Sequence, residues 1–501
     1  MGIVYDLCGL SRRPADRAAD IAALISILIV ATCVRVWFVS AGVPYAVGVD
    51  EPQVVDRALR ILHTGDWNTH LFDYPTLVIY FHAVLAIARF MWGAVSGDWS
   101  SLDTLDIGAI YTTGRIATAA IGVATVWITY RLGSELGSRQ VGLLAAVQLA
   151  VYPMHVRESH FILTDVPVTA LTTLTVWLAV RAGRVRVPAA YAWAGAAAGL
   201  AAAAKYNGGI AFIAIVVVWL LQDRRAPDRW SKLVAAIAAM SVAFLLAAPY
   251  TLLDLPAFLN GFAAQFARFA GGPRSGDPAW LVYVKHLSLA FRFWVPLALV
   301  GAAIVVARRD SRSAWTPLLA FVAAYFYALS THAPIFGRYA LPLIPGLCLL
   351  AAVPLVGLGE LLRKWSLFDR PAVQRALFVT VSVAMAVLLG ATVVNWLLDL
   401  RRADTRTLAA VWMKQNLPRG TAVAVENSGP TYLANAGFRV VPTELLIEHP
   451  PDWYRRQVGY LVISSRDPER YVAYEAAGPI VFEIAPTPQR WGPPIRIVKL
   501  Q

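Results

Sequence analysis

The chain has 501 residues, of which 58% are hydrophobic and 15% charged, and it carries a net charge of +13. With a mean hydropathy of +0.57 and many long apolar runs, it cannot be a soluble globular protein and reads as a polytopic α-helical membrane protein. The positive charge gathers in short clusters between apolar runs, which is the pattern of membrane topology rather than of nucleic-acid binding. Cys8, Cys33 and Cys348 are far apart, so they suggest neither a disulfide framework nor a zinc site.

Arg12, Arg13 and Arg17 precede the first apolar span, 19–41, and place the N-terminus in the cytoplasm. The span is too long for a signal peptide and lacks a convincing cleavage site, so it is expected to be a permanent helix. Beyond it stands Asp50-Glu51-Pro52, opening a polar segment with Arg57, Asp66, His70 and Asp73-Tyr74-Pro75. A carboxylate pair beside a bilayer is costly unless water, a cation or a substrate meets it. Segment 76–95 is apolar, yet it is followed by Asp98, Asp103 and Asp106 with no Lys or Arg near them. If it crossed, every later basic loop would lie outside, so the sequence has it either lie along the outer surface as an interfacial helix or enter and return.

The remaining spans fall at about 109–131, 140–154, 166–181, 188–204, 208–222, 233–250, 292–307, 315–331, 340–360 and 374–397. Basic clusters such as Arg181/Arg184/Arg186 and Arg308/Arg309/Arg312 mark the inside loops. The run 188–222 is basic at both ends, so it should cross twice, turning at Lys205-Tyr206-Asn207-Gly208-Gly209. About eleven spans put the C-terminus outside. The outer face then collects 42–108, 155–165, 205–209, the loop 251–291 and 332–339. That long loop holds Asp254, Gln265, Arg268, Arg274, Asp277, Lys285 and His286, with Gly271-Gly272-Pro273 and Gly276 as hinges. It could cover a site, bind an acceptor or lie on the bilayer.

From 399 the composition becomes that of a small soluble domain. Asp404-Thr405 starts an amphipathic helix over 405–417 with Leu408, Val411 and Trp412 inward. Pro418-Arg419-Gly420 ends it. Strands are expected at 421–425, 438–441, 459–464, 479–484 and 495–500. The organisation is therefore 1–398 as the membrane domain and 399–501 as a compact extracytoplasmic α/β domain.

A second polar island, 155–165, contains His155, Arg157, Glu158, Ser159, His160, Thr164 and Asp165. Asp165 precedes Val166-Pro167, so it is either a helix N-cap or a carboxylate facing Asp50 across one cavity. His155 and His160 are candidate acid–base, substrate-contact or metal-ligand groups, although a spacing of five is not that of a helical metal pair. Arg115, Lys205 and Arg338-Tyr339 place three cations at the outer boundary. They suit a lipid-linked phosphate, with snorkelling to the interface as the alternative. Arg35, inside the first span, is expected to be paired structurally.

An ordered set of motifs runs through residues 20–350. Asp50-Glu51-Pro52 is followed by Gly65-Asp66-Trp67-Asn68-Thr69-His70-Leu71-Phe72-Asp73-Tyr74-Pro75-Thr76. Then come Thr113-Gly114-Arg115, Ser159-His160 through Asp165-Val166-Pro167, Ala204-Lys205-Tyr206, and Arg338-Tyr339 followed by Leu341-Pro342. The set resembles GT-C glycosyltransferases, most closely the bacterial family 39 relatives of the protein O-mannosyltransferases and, more distantly, the lipid A aminoarabinose transferases. The resemblance implies an inverting transferase in the bacterial cytoplasmic membrane that uses a polyprenyl-phosphate sugar on the outer face. By that likeness Asp50 is the base or acceptor-orienting carboxylate, and Glu51 and Asp165 line the same cavity. Arg115 and Lys205 hold the donor phosphate, Arg338 and Tyr339 lie near the lipid head, and His70, Tyr74, His155 and His160 are candidate substrate contacts. No motif demands a cofactor, although a divalent cation could take part. The sugar and the acceptor, whether protein, lipid or glycan, are not specified. Two other classes fit the many spans: a transporter or flippase of a lipid-linked sugar, and a non-catalytic envelope assembly partner. A transporter predicts paired broken helices in two halves, and only one broken pair is evident, at Lys205.

Overall fold

The computed structural model describes residues 14–270, 277–331, 336–364, 370–465 and 467–500. Arg12, Arg13, Cys8, the hinge residues Gly271, Gly272, Pro273 and Gly276, and Arg274 lie outside the described residues. So do 332–335 and the side chains of Arg17 and Arg268.

The helices in chain order are α1 (Pro14–Val36), α2 (Glu51–Thr64), α3 (Leu77–Ser96), α4 (Ile107–Leu136), α5 (Arg139–Ala150), α6 (Pro153–Glu158), α7 (Asp165–Val185) and α8 (Pro188–Ala204). They continue with α9 (Phe212–Leu220), α10 (Arg229–Ala247), α11 (Tyr250–Leu253), α12 (Leu255–Ala270), α13 (Ala279–Ser288), α14 (Trp294–Ala307), α15 (Arg309–Ser330), α16 (Ile344–Leu362) and α17 (Pro371–Asp399). Among the described residues 8 helical stretches are long and apolar enough to cross a membrane. Seven of them, all but α3, fall on expected spans. The other four expected spans are the shorter α5, α8, α9 with its preceding 3₁₀ turn, and α14. Segment 77–96, which charge placed along the surface, is itself a 20-residue helix of spanning length and hydropathy. The first helix stops at Val36, and Trp37–Tyr45 runs in turns instead of completing the span to residue 41.

The chain divides into two compact units. The first takes in the residues through Val36, Trp67–Tyr80 and Ala117–Val393. Its core packs α8 against α7 and α10, and α16 against α5 and α14. Small residues allow the closest of these approaches. A Cβ at Gly195 or Gly199 would stand 2.1 Å or 2.2 Å from the Ala236 and Met240 carbonyl oxygens of α10. Buried Arg35 of α1 donates to the Leu149 and Ala150 carbonyls at 3.0 and 2.7 Å. It thereby closes the C-terminal end of α5, whose last carbonyls have no partner within the helix. The structural pairing expected for Arg35 is the one observed.

The second unit takes in Trp37–Asp66, Phe81–Ile116 and Val394–Gln501. The first polar loop and α2 therefore group with the C-terminal domain, although the sequence assigns them to the membrane domain. That domain has β1 (Ala403–Asp404), α18 (Thr405–Asn416), β2 (Ala422–Glu426), β3 (Arg439–Thr443), α19 (Pro451–Arg455), β4 (Tyr460–Ile463), α20 (Val472–Glu475), β5 (Ile480–Ile484), β6 (Arg490–Trp491) and β7 (Ile495–Lys499). A 5-stranded sheet runs β3-β2-β4-β7-β5. β2 pairs in parallel with β3 and β4, and β7 pairs antiparallel with β4 and β5. Asp404 caps α18 by accepting from the Arg406 amide at 2.9 Å, as its position before Thr405 predicts. The inward face of α18 is Ala409, Ala410 and Met413, with Leu408 and Trp412 half-buried at its margin. Val411, expected inward, is instead exposed.

Candidate active site

In the first unit, Lys205 lies at a break between helices. α8 ends at Ala204, Lys205 adopts extended backbone, and a 3₁₀ turn over Tyr206–Ala211 leads into α9. Gly208 is needed here, because a Cβ would stand 2.3 Å from the Ala201 carbonyl oxygen. The break frees the Lys205 side chain to reach Asp165, with Nζ 2.8 Å from Oδ1. Arg338, in the 3₁₀ turn Gly337–Leu343 that precedes α16, puts Nε 3.4 Å from the other Asp165 oxygen. Asp165 is 3% exposed. It is the first residue of α7, and Thr164 occupies the N-cap position. The N-cap alternative is thus corrected: the carboxylate serves two cations from the positive end of a helix, where the dipole also favours it. Lys205 Nζ sits 4.0 Å above the Tyr339 ring, a cation–π contact.

Beside these groups is a cavity of about 320 Å³ lined by Asp73, Tyr74, Lys205, Tyr206, Asn207, Phe262, Gln265, Tyr283, Tyr325 and Tyr339, among others. Its rim is ordered by hydrogen bonds. Tyr206 donates to the Phe72 carbonyl at 3.0 Å, and Asn207 donates to the Tyr325 hydroxyl at 2.8 Å. Lys205, Tyr339 and Tyr74 thus come together as the sequence suggests. Asn207, Phe262, Tyr283 and Tyr325 were not singled out as site residues. Asn207 lies two residues from Lys205 in the sequence, and Tyr325 stands in the apolar half of α15, which was the available signal. The loop 251–291 supplies Phe262 and Gln265 from α12 and Tyr283 from α13. Its Asp254 accepts from Asn68 at 3.0 Å.

The two histidines of the second island are placed elsewhere. His155 is fully buried and its Nδ1 lies 2.9 Å from the Arg35 guanidinium. A guanidinium only donates, so Nδ1 accepts and the proton sits on Nε2. Burial first, and the Arg35 charge second, hold His155 well below the usual histidine range, in the neutral form. His160 Nδ1 lies 2.9 Å from the Val156 carbonyl oxygen. Neither lines the cavity. His70 is exposed, with φ of 50°, and its amide donates to Asn68 Oδ1 at 3.0 Å. Among the described residues no group of three His, Cys, Asp or Glu side chains is arranged to hold a metal ion.

In the second unit, Asp50 occupies the N-cap position of α2, half-buried, with no side-chain capping hydrogen bond. Glu51 is fully buried and pairs with Arg115 through two parallel hydrogen bonds of 2.8 and 2.6 Å. The same guanidinium donates to the Val39 and Ala41 carbonyls at 3.0 and 2.9 Å, and Glu51 Oε2 accepts from the Gly48 amide at 2.7 Å. Arg115 is 2% exposed. The expected phosphate ligand therefore has its fork occupied by a buried carboxylate and two loop carbonyls, a bidentate arrangement only arginine makes.

Residues 106–252 match the family model described as dolichyl-phosphate-mannose-protein mannosyltransferase. The fold is similar to that of ArnT from Cupriavidus metallidurans bound to undecaprenyl phosphate, with a TM-score of 0.63 and 16% identity, covering 95% of this chain and 97% of that one. It is also similar to the Archaeoglobus fulgidus oligosaccharyltransferase in the apo form, with a TM-score of 0.59 and 12% identity, covering 90% of this chain and 70% of that one. A structure of AglB from the same archaeon, in complex with an inhibitory peptide and a dolichol-phosphate, matches with a TM-score of 0.58, 12% identity and the same coverage. No curated protein matches the chain in sequence. The chain is thus a multi-pass membrane protein with the GT-C glycosyltransferase fold.

Proposed function

We propose that the protein is an inverting glycosyltransferase that moves a sugar from a polyprenyl-phosphate donor to an acceptor hydroxyl on the outer face of a bacterial cytoplasmic membrane. The observation that carries this reading is the pairing of Lys205 and Arg338 around Asp165 beside the aromatic cavity. A polyprenyl-phosphate sugar needs an apolar, aromatic wall for its lipid and cations for its phosphodiester, and the cavity supplies both. ArnT was crystallised with undecaprenyl phosphate, which is the same class of ligand.

The chemistry balances on this chain's own residues. The acceptor oxygen attacks the anomeric carbon as its proton passes to a carboxylate, the role that the motif resemblance gives Asp50. The anomeric carbon–oxygen bond to phosphate breaks, and the electron pair leaves on the phosphate oxygen. That leaving group is already anionic and needs no acid. It needs fixed positive charge where negative charge grows, which Lys205 and Arg338 provide. Glu51 and Arg115 set the loop that carries Asp50.

Purified protein in detergent, given a radiolabelled polyprenyl-phosphate sugar and a panel of protein, lipid and glycan acceptors, should release polyprenyl phosphate and label one acceptor class. A flippase would be silent in detergent and active only across sealed vesicles. Silence in detergent with flux in vesicles would replace the transferase reading.

A further inference from the structure

The C-terminal domain is the part of the chain that the transfer chemistry leaves without work. In its own unit it makes a series of directed contacts to one target, the irregular segment 37–50 and the helix that follows it. Thr431 donates twice into that segment, from its amide to the Tyr45 carbonyl at 2.9 Å and from its hydroxyl to the Pro44 carbonyl at 2.5 Å. Arg406 donates to the Val47 carbonyl at 3.2 Å, and is itself held by two hydrogen bonds to Asp404. Tyr45 packs against the core of the C-terminal domain. Tyr432 donates to Asp56 Oδ1 of α2 at 2.6 Å. Its hydroxyl lies 2.7 Å from that of Tyr111. Since the Tyr432 proton goes to the carboxylate, Tyr111 is the donor in that pair, and the chain of hydrogen bonds has one direction. Tyr432 adopts φ of 53°, a conformation a tyrosine takes only when its surroundings demand it.

We propose that the Thr431-Tyr432 turn and Arg406 of the C-terminal domain are positioning residues that hold the Asp50 loop in its working geometry. The clamp acts on both flanks of Asp50. Pro44, Tyr45 and Val47 are fixed before it, and Asp56 after it. Segment 37–50 has no regular secondary structure of its own. Arg115 holds it at Val39 and Ala41 and Glu51 at Gly48, and the C-terminal anchors fix Pro44, Tyr45 and Val47 between those points. A shift of about 1 Å at a reacting group can cost about 100-fold in rate. The proposal rests on the reading of Asp50 as the base.

The test uses the full chain in detergent with Tyr432→Phe, Thr431→Val and the double variant. Hydrogen exchange of peptides covering 42–51, which contain the bonded amides of Ala46, Gly48 and Glu51, should speed about tenfold or more in the double variant, because local opening sets exchange. Turnover should fall about 10- to 100-fold, while the KM for donor stays within about twofold. Unchanged exchange overturns the clamp. Faster exchange with wild-type turnover overturns its positioning role. A fall in turnover accompanied by an equal loss of donor affinity and of thermal midpoint would show a merely structural contact, and also overturns it. If the wild type transfers no sugar, the transferase reading falls, and exchange alone then upholds or overturns the clamp.

Discussion

Lys205 Nζ stands 2.8 Å from Asp165 Oδ1, and Arg338 approaches the other oxygen of the same carboxylate. Two formal positive charges thus face one negative charge, leaving one net positive charge among the three side chains. A phosphodiester carries one negative charge, so this trio matches the charge of the donor proposed above, with its cations already held in place. Asp165 in this arrangement is a holder of cations, whose removal takes away the carboxylate that Lys205 and Arg338 share.

Asp165→Asn should therefore lower stability by about 3–5 kcal/mol, the usual cost of breaking a buried pair by removing one partner. Polyprenyl phosphate should restore more of the thermal midpoint to this variant than to wild type, because the lipid phosphate replaces the missing anion. Thermal unfolding with and without the lipid measures both effects. Equal stabilisation of the two proteins would separate the trio from phosphate binding.

Arg115→Lys should behave almost as badly as Arg115→Ala. Lysine keeps the charge but cannot make two parallel bonds to Glu51 and also reach the Val39 and Ala41 carbonyls. The expected loss is about 3–5 kcal/mol for Ala, with faster proteolysis within 37–50 in both variants. Donor affinity should change little. A variant with wild-type stability and lost donor affinity would return Arg115 to the phosphate role that its place in the sequence suggests.

Much of this was legible in the sequence, because it depends on patterns that one chain carries. Apolar length fixed the helices, and the basic ends of 188–222 exposed the break at Lys205. The Asp404-Thr405 start and the strand runs of the C-terminal domain also read directly. Pairing was less legible, since it depends on which side chains a fold brings together. Glu51 with Arg115, and Arg35 with His155, are 64 and 120 residues apart, and no spacing rule links them. The grouping of Trp37–Asp66 with the C-terminal domain was hidden for the same reason, as the hydrogen bonds of Arg406, Thr431 and Tyr432 to it join residues 359, 387 and 376 positions apart.

Glu158 supplies a pH test. Burial raises its carboxyl above the usual glutamate value, opposed by the neighbouring Arg157. A raised folded value means that the folded state binds the proton more tightly than the unfolded chain. The group's contribution to stability is present below the unfolded value of about 4.3 and is lost as pH rises through the folded value. Glu158→Gln cannot ionise. The midpoint of wild type relative to this variant should accordingly drop as pH climbs from about 4 toward neutrality. A difference that grows in the opposite direction would mean that the Arg157 pair outweighs burial.

Asp50→Asn bears most directly on the chemistry. The amide keeps the shape of the carboxylate but takes up no proton at neutral pH, and loss of a general base costs about 10²–10⁴-fold. Turnover should fall by that factor. Stability should hold, because the amide has the shape of the half-buried carboxylate it replaces and the Glu51–Arg115 pair stays intact. Donor binding should also persist, since the cations assigned to it are Lys205 and Arg338. Glu51→Gln should differ in kind: it weakens a buried ion pair, so its loss of turnover should come with a lower thermal midpoint. Measuring turnover, donor affinity and thermal midpoint for both variants separates a chemical role from an architectural one. An Asp50→Asn protein with near-normal turnover would remove Asp50 from the mechanism and leave the loop without a base.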